Sequence, residues 1–433
     1  LSVTEQPAQA QLRRTLSLWQ VTASGVGIVI GAGIYVLIGE AAGEAGPALW
    51  ISFVIAGALS AITALSYAEL AGMYPNAGAE YEFTRRAFNE TTGFLTGWMM
   101  VVALVIAAAA VALGFAQYLR HFFDVDERVG ALSLLAALTL LVAAGIQRSI
   151  WVSAALALLQ VGGLLMVIVS GSPHIGDRPL VEGSTFAGVM SGAALVFFAF
   201  IGFDEVVTLS EETQDAERVV PRALLLALGI STALYVLVGL AAVSVVGADA
   251  LANSDRPLAL VMEHDWEGRA SDIVAFIALA STTNTTLLVL TAASRNTFAM
   301  SRGGVLPPAL ATVGRHGGAP YVAAIAAFVV AAAFSLAGDL GLIASVTDLA
   351  VYAIFVAVNV SLIRLRYTRP DARRTFRVPL SVGKTPLPPI AGAVTAVVML
   401  AYLEPAAWAI GAGALGLGIL VWAAIGRRAH RTV

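Results

Sequence analysis

Long apolar runs separated by short polar breaks make up most of this chain. Runs of spanning length fall at about twelve places: 17–40, 48–73, 93–119, 130–147, 150–171, 187–210, 220–246, 272–299, 320–337, 340–363, 387–403 and 406–425. Each approaches or exceeds the roughly 20 apolar residues that cross a bilayer as a helix. In hydrocarbon the backbone must satisfy itself, so each run is expected to be helical. The longest interruption is the polar stretch from Gly247 to Ser271, too short for a separate soluble domain. The first run follows the polar segment Leu1–Thr15 and extends well past a signal-peptide core, so it is expected to be a retained span.

Composition agrees with this pattern. The 433 residues are 58% hydrophobic and 12% charged, against about 25% charged in soluble domains. A net charge of −3 lacks the basic excess of a nucleic-acid binder. The chain has no cysteine, which rules out disulfides, thiol catalysis and thiolate metal sites in it. Its five histidines, His121, His174, His264, His316 and His430, lack metal-ligand spacing, so no firm metal site and no cofactor are expected. No nucleophile triad or pair of catalytic carboxylates stands out, and the expectation is a protein that is not an enzyme.

Charge placement predicts orientation. With the N-terminus inside, 20 of the 25 lysines and arginines fall in inner segments, and only Arg120, Arg128, Arg178, Arg256 and Arg269 fall outside. That is the bias of the positive-inside rule, with both termini cytoplasmic. The expected location is the plasma membrane.

Two of the apolar runs carry a weak point near their middle. The first contains "GVGIVIGAGIYVLIG" and the sixth contains "LVFFAFIGFDEVV". Glycine weakens a helix interior, although Gly27 and Gly31 also fit small-residue packing. A Rossmann fingerprint around Gly31 is rejected, because the last glycine and the strand-turn-helix context are missing. The two weak points lie five spans apart, as in transporters built from inverted repeats.

The motifs around these points resemble a known family. "GAGIYVLIG", "SYAELAGMYPNAGAEYEF", "FFAFIGFDEVVTLSEETQDAERVVPRAL" and "STTNTTLLVLTAASRNTFAMSRGGVLP" are similar to transporters of the amino acid–polyamine–organocation superfamily. Within it they resemble the cationic amino acid transporter branch and its bacterial relatives. The matches cover most of residues 20–310, whereas 320–433 match by hydropathy and basic loops rather than by a sharp motif. The resemblance implies an all-α membrane fold of about twelve helices, a five-plus-five inverted repeat of the LeuT type with helices 1 and 6 broken. On that reading 1–16 is a cytoplasmic segment, 17–171 the first repeat, 187–365 the second, 387–426 the two extra helices and 427–433 a tail.

The resemblance also implies site residues. Backbone amides at Ile30, Gly31, Ala32, Gly33 and Ile34 would take a substrate carboxylate. Carbonyls at Phe198, Ala199, Phe200 and Ile201 would take its ammonium, and Phe203, with Phe198, would either form an aromatic lid or serve as packing or lipid-facing phenylalanine. Gln160 falls where some proton-coupled members carry a lysine, and an uncharged amide cannot exchange a proton near neutral pH.

Several polar groups remain as candidates. Ser281 and Thr282 offer hydroxyl oxygens to sodium, or bond their own helix. Glu69, Asp204 and Glu205 are acids at or near membrane depth and so are coupling candidates. Asp204 and Glu205 also suit the N-terminus of a second half-helix, and Glu211, Glu212, Arg218 and Arg222 an inner ion-pair cluster. Pro221 is expected at a helix start. Asp348 would favour a cationic substrate if it faced the cavity.

The expected function is alternating-access transport of neutral or broad-range L-amino acids in a lipid membrane, by symport or exchange. The coupling ion is a proton or sodium, unless exchange needs none. A cationic amino-acid or polyamine carrier is the alternative, and an amino-acid receptor without net transport is the alternative of another class.

Overall fold

A computed structural model describes residues 16–74, 79–145, 150–204, 206, 213–265, 269–314 and 319–429, with the side chains of 150–154, 217, 265 and 425–429 left aside. Glu205, Glu211 and Glu212 lie outside the described residues. Among the described residues the protein is all-α apart from one small hairpin and an isolated bridge between Leu16 and Thr213.

The first apolar run is two helices. α1 (Leu18–Val29) starts at Ser17, whose N–H donates to the Gln20 side chain at 2.9 Å. It stops at Ile30, where ψ of 73° leaves the helical region. α2 (Gly33–Ala45) then begins and ends at Gly46, whose φ of +61° suits glycine. α3 (Leu49–Met73) and α5 (Glu90–Leu119) are long apolar helices joined through the short polar helix α4 (Ala79–Ala87). α6 (Glu127–Ala143) is capped by Asp126, whose carboxylate accepts from the N–H groups of Arg128 and Val129. α7 (Ile150–Gly171) completes the N-terminal part.

The sixth run is also interrupted. α8 (Phe186–Val196) tightens into a 3-10 turn over Phe197–Phe200. The chain then leaves helical geometry at Ile201 (ψ 136°) and Gly202 (φ +109°). α9 (Ala216–Val246) follows. It starts earlier than expected and carries Pro221 in its interior, not at its first position. Asp215, at φ +46°, makes the turn that lets the helix begin ahead of the proline.

The polar stretch after Gly247 is not simple loop. It folds into α10 (Ala248–Ala252) and α11 (Pro257–Asp265), which pack near α2 and α7. α12 (Arg269–Arg302), α13 (Tyr321–Ala337), α14 (Leu340–Thr368), α15 (Leu387–Leu400) and α16 (Pro405–Ala429) complete the order. Between α14 and α15 lies a two-residue hairpin, Ser381–Val382 with Thr385–Pro386, turned at Gly383 (φ +62°).

Seven segments among the described residues are long and apolar enough to cross a membrane, and four shorter apolar helices accompany them. The most deeply packed of the seven are α5 and α14, which lie against one another. A run of small side chains, Ala107–Ala110 of α5, is buried at the centre. Outward-facing Leu140, Leu158, Val169 and Leu420 stay exposed, as expected of side chains meeting lipid rather than water.

Candidate functional site

The two interruptions meet. An ideal Cβ on Gly33 would lie 2.5 Å from the Ala199 Cα, so only glycine lets the start of α2 rest against the 3-10 turn after α8. The Tyr235 hydroxyl, from α9, lies 2.9 Å from the Val29 carbonyl and 3.0 Å from the Ala199 carbonyl. Its single proton is therefore shared between the end of α1 and the turn after α8. Phe200 and Phe53 pack their rings on Tyr235 at 5.2 and 5.6 Å and hold it in place.

The expected carboxylate-binding amides divide into two groups. Ile30 N–H donates to Val26 O and Gly31 N–H to Val29 O, both at 2.8 Å. Ala32 N–H donates to the Thr285 hydroxyl of α12 at 3.0 Å. These three are occupied within the protein. Gly33, Ile34 and Tyr35 form the first turn of α2, where a helix leaves its N–H groups without internal partners. That turn also carries the positive end of the helix dipole and so favours an anion.

The carbonyl side of the site has spare capacity. Phe198 O accepts from Ile201 N at 3.2 Å and Ala199 O from Tyr235, and each carbonyl oxygen has a second lone pair. Phe200 and Ile201 supply the next two carbonyls of the interruption. Phe203 is fully buried, edge-on to Tyr67 at 5.7 Å and to Phe355 at 5.4 Å. It packs with these rings as one aromatic cluster, in line with the packing alternative. Asp204 is half-buried at the end of the same turn.

Tyrosines fix α2 from the sides. Tyr118 of α5 donates to Tyr35 O at 3.0 Å, and Tyr35 in turn donates to Gln160 O of α7 at 2.6 Å. The Gln160 side chain is buried with neither amide atom bonded within the protein. On α12, Thr282 donates to Ala278 O at 2.8 Å and so bonds its own helix, while the buried Ser281 hydroxyl has no protein partner.

Glu69 has a different setting from that expected of a coupling acid. Its carboxylate is buried and accepts from Arg366 at 2.7 and 2.5 Å, Arg374 at 2.9 Å and the Val378 N–H at 2.7 Å. Four donors saturate it, and it ties the end of α3 to the arginine-rich end of α14 and the loop after it. Asp348 of α14 is equally buried, yet neither of its oxygens has a protein partner. A separate cavity lies between α4, α5 and α12, lined by Glu80, Glu82, Asn296 and Met300, and the paired interruptions do not line it.

Tyr235, Thr285, Tyr35 and Tyr352 are absent from the sequence-derived site. Thr285 stands in a quoted motif, but its neighbours carry the same hydroxyl. Tyr235 is one polar atom in a long apolar run and carries no sequence signal of its role.

Residues 16–423 match the family described as amino acid permease. The chain belongs to that family. It lies within the amino acid–polyamine–organocation superfamily. The permease is 32% identical to the branched-chain amino acid permease BcaP of Bacillus subtilis over 396 residues, 86% of this chain and 85% of the relative. It is 30% identical to the methylthioribose transporter of the same organism, over 98% of this chain and 94% of the relative. It is also 32% identical to the vacuolar cationic amino acid transporter 4 of Arabidopsis thaliana, over 86% of this chain and 65% of the relative.

Proposed function

We propose that this permease is a secondary active transporter of neutral or broad-range L-amino acids, working by alternating access around the paired interruptions. The observation that carries the reading is the Tyr235 hydroxyl joining Val29 O to Ala199 O, which puts a helix N-terminus beside a set of helix-end carbonyls. A zwitterion entering a dry site needs a hydrogen bond for each charge, and backbone dipoles supply both without a buried counter-ion. In this reading the first-turn amides of α2 take the carboxylate and the Phe198–Ile201 carbonyls take the ammonium. The proposed fold is the five-plus-five inverted repeat with two further helices. The proposed setting is the plasma membrane with the arginine-rich side cytoplasmic.

Neutral substrates are preferred because Asp348 is fully buried, with no surface offered to a cationic side chain. The branched-chain relative supports the same choice. The cationic amino acid transporter relatives favour a second reading, a carrier of cationic amino acids.

Uptake and counterflow of radiolabelled leucine and arginine in proteoliposomes distinguish these. Leucine transport with arginine excluded is the expected result, and the reverse would support the second reading. Binding without uptake or exchange would point to a receptor. Gly31→Leu is expected to abolish binding while the protein still inserts, because a Cβ at Gly31 already approaches the Thr285 hydroxyl to 3.0 Å.

A further inference from the structure

We propose that Asp348 is the proton-carrying group of this transporter, protonated while the site is closed and ionised only when α14 is opened to water. This rests on the transport reading given above.

The argument begins with a contrast between two buried acids. Glu69 and Asp348 both have no exposed surface. Glu69 is given two arginines and a backbone N–H. Asp348 is given no hydrogen-bond partner in the protein at either oxygen. An ionised carboxylate without a counter-charge costs several kcal/mol in a low-dielectric interior. A carboxyl that keeps its proton avoids that cost.

Among the described residues, no cation is paired with Asp348, and the arginines of the neighbouring α4 are held by Glu82 and Glu90. α8, the 3-10 turn after it and α15 carry no titratable side chain. On α5, Glu90 pairs with Arg85 and Tyr118 donates to Tyr35 O, at the two ends of that helix. On α3, Glu69 is saturated and Tyr67 packs on Phe83, Phe203 and Phe355. α4 holds Glu80, Tyr81, Glu82, Arg85 and Arg86, and α16 has only Arg427 and Arg428, at its C-terminal end. On α14 itself the near titratable group is Tyr352, one turn along; Arg364 and Arg366 lie four turns or more away.

Asp348 is also well placed for the task. It lies eight residues into α14, about 12 Å from the Leu340 end. Gly341, Ser345, Asp348 and Tyr352 follow spacings of four, three and four residues and so share one face. At the Leu340 end of that face, a Cβ on Gly341 would lie 3.3 Å from a Glu40 carboxylate oxygen and 3.7 Å from one of Asp339. A polar stripe thus runs from the arginine-poor face of the protein to Asp348. At its inner end the Tyr352 hydroxyl donates to Ala194 O at 3.1 Å, and its ring lies 4.5 Å from that of Phe197, where the 3-10 turn starts. Movement of α14 that exposes Asp348 would therefore also disturb the substrate-binding interruption. Proton and substrate share one two-state element, which is what coupling requires.

The test uses the full chain in proteoliposomes, with radiolabelled leucine and arginine as probes. An inward proton gradient should drive accumulation about tenfold or more above equilibration, with a sodium gradient at equal membrane potential giving none. In Asp348→Asn the gradient-driven accumulation should fall to a ratio of about one, while Asp348→Glu retains it. Should Asp348→Asn not transport at all, leucine binding followed by calorimetry in buffers of different ionisation enthalpy still reads the proton. One proton should be taken up or released in the wild type and none in the variant. Proton-driven accumulation by Asp348→Asn, accumulation driven by sodium alone, or counterflow insensitive to both gradients would overturn the proposal and leave the transport reading intact. Absence of uptake and counterflow for every amino acid would instead remove the transport reading itself.

Discussion

The hydroxyl of Tyr235 lies 2.9 Å from the carbonyl of Val29, at the end of α1, and 3.0 Å from that of Ala199, 170 positions on in the 3-10 turn after α8. Replacing it with phenylalanine keeps the ring packing against Phe53 and Phe200 and removes only the hydrogen bond. One such bond is worth about 0.5–1.5 kcal/mol. Tyr235→Phe should weaken substrate affinity by roughly tenfold or less and lower the melting temperature by only a few degrees. Paired binding and melting measurements in detergent check this.

Two glycines of the first run should behave differently. A Cβ on Gly27 would meet the Ala157 Cβ at 2.6 Å, a contact between α1 and α7 rather than between the two interruptions. A Cβ on Gly33 would meet the Ala199 backbone at 2.5 Å. Each alanine substitution overpacks its site at a cost of about 1–3 kcal/mol. Gly27→Ala should lose stability and keep its affinity, and Gly33→Ala should lose both. Equal affinity in the two variants would separate the glycine contact from the site.

Glu69 should act as a structural clamp. Glu69→Gln leaves the buried Arg366 guanidinium without its counter-charge, and breaking a buried pair in this way costs about 3–5 kcal/mol. The double variant Glu69→Met with Arg366→Met should recover only part of that loss, since the apolar pair replaces one ion pair but Arg374 and the Val378 N–H still lose their acceptor. Thermal melting of the three proteins tests the order.

The α4 segment should loosen in acid. Burial acts against the charge of Glu82, but hydrogen bonds and charge from Arg86 and Arg85 outweigh it and hold the carboxyl below its ordinary value. A depressed carboxylate contributes stability above its unfolded pKa of about 4.3. That contribution fades as the pH falls through the lower folded value. Hydrogen exchange at the α4 amides should therefore be slow at neutral pH and faster below pH ~4, after correction for intrinsic exchange. Glu82→Gln should remove the difference.

Much of the fold can be read along the chain, since hydropathy needs no knowledge of neighbours. The apolar runs coincide with helices because hydrocarbon leaves the backbone no other open-chain solution. What hydropathy missed lies at the polar interruptions. α4, α10 and α11 are too short and too polar to register as spans, and α9 begins five residues before the proline that was expected to start it.

The candidate site was legible only in outline. Glycine near the middle of the first and sixth runs marked both interruptions, because a residue without a Cβ stands out wherever it falls. The partners that hold them did not stand out. Thr285 is one threonine among several, and Tyr235 one tyrosine in an apolar helix; their roles depend on an atom delivered by another helix. The same holds for the two buried acids. Sequence offered Glu69 as a coupling candidate and Asp348 as a pocket residue, and neither reading shows which of the two acids finds a partner.

The sequence by itself determined that this is a helical membrane protein, where its chain is weakest and which family it resembles, because composition and glycine placement are properties of single segments. Tertiary structure decided which amides of the first interruption are already occupied, that Tyr235 joins the two helix ends, and that Glu69 is paired while Asp348 is not. Those outcomes depend on distances of about 3 Å between residues far apart in the chain, and such distances exist only once the helices have packed.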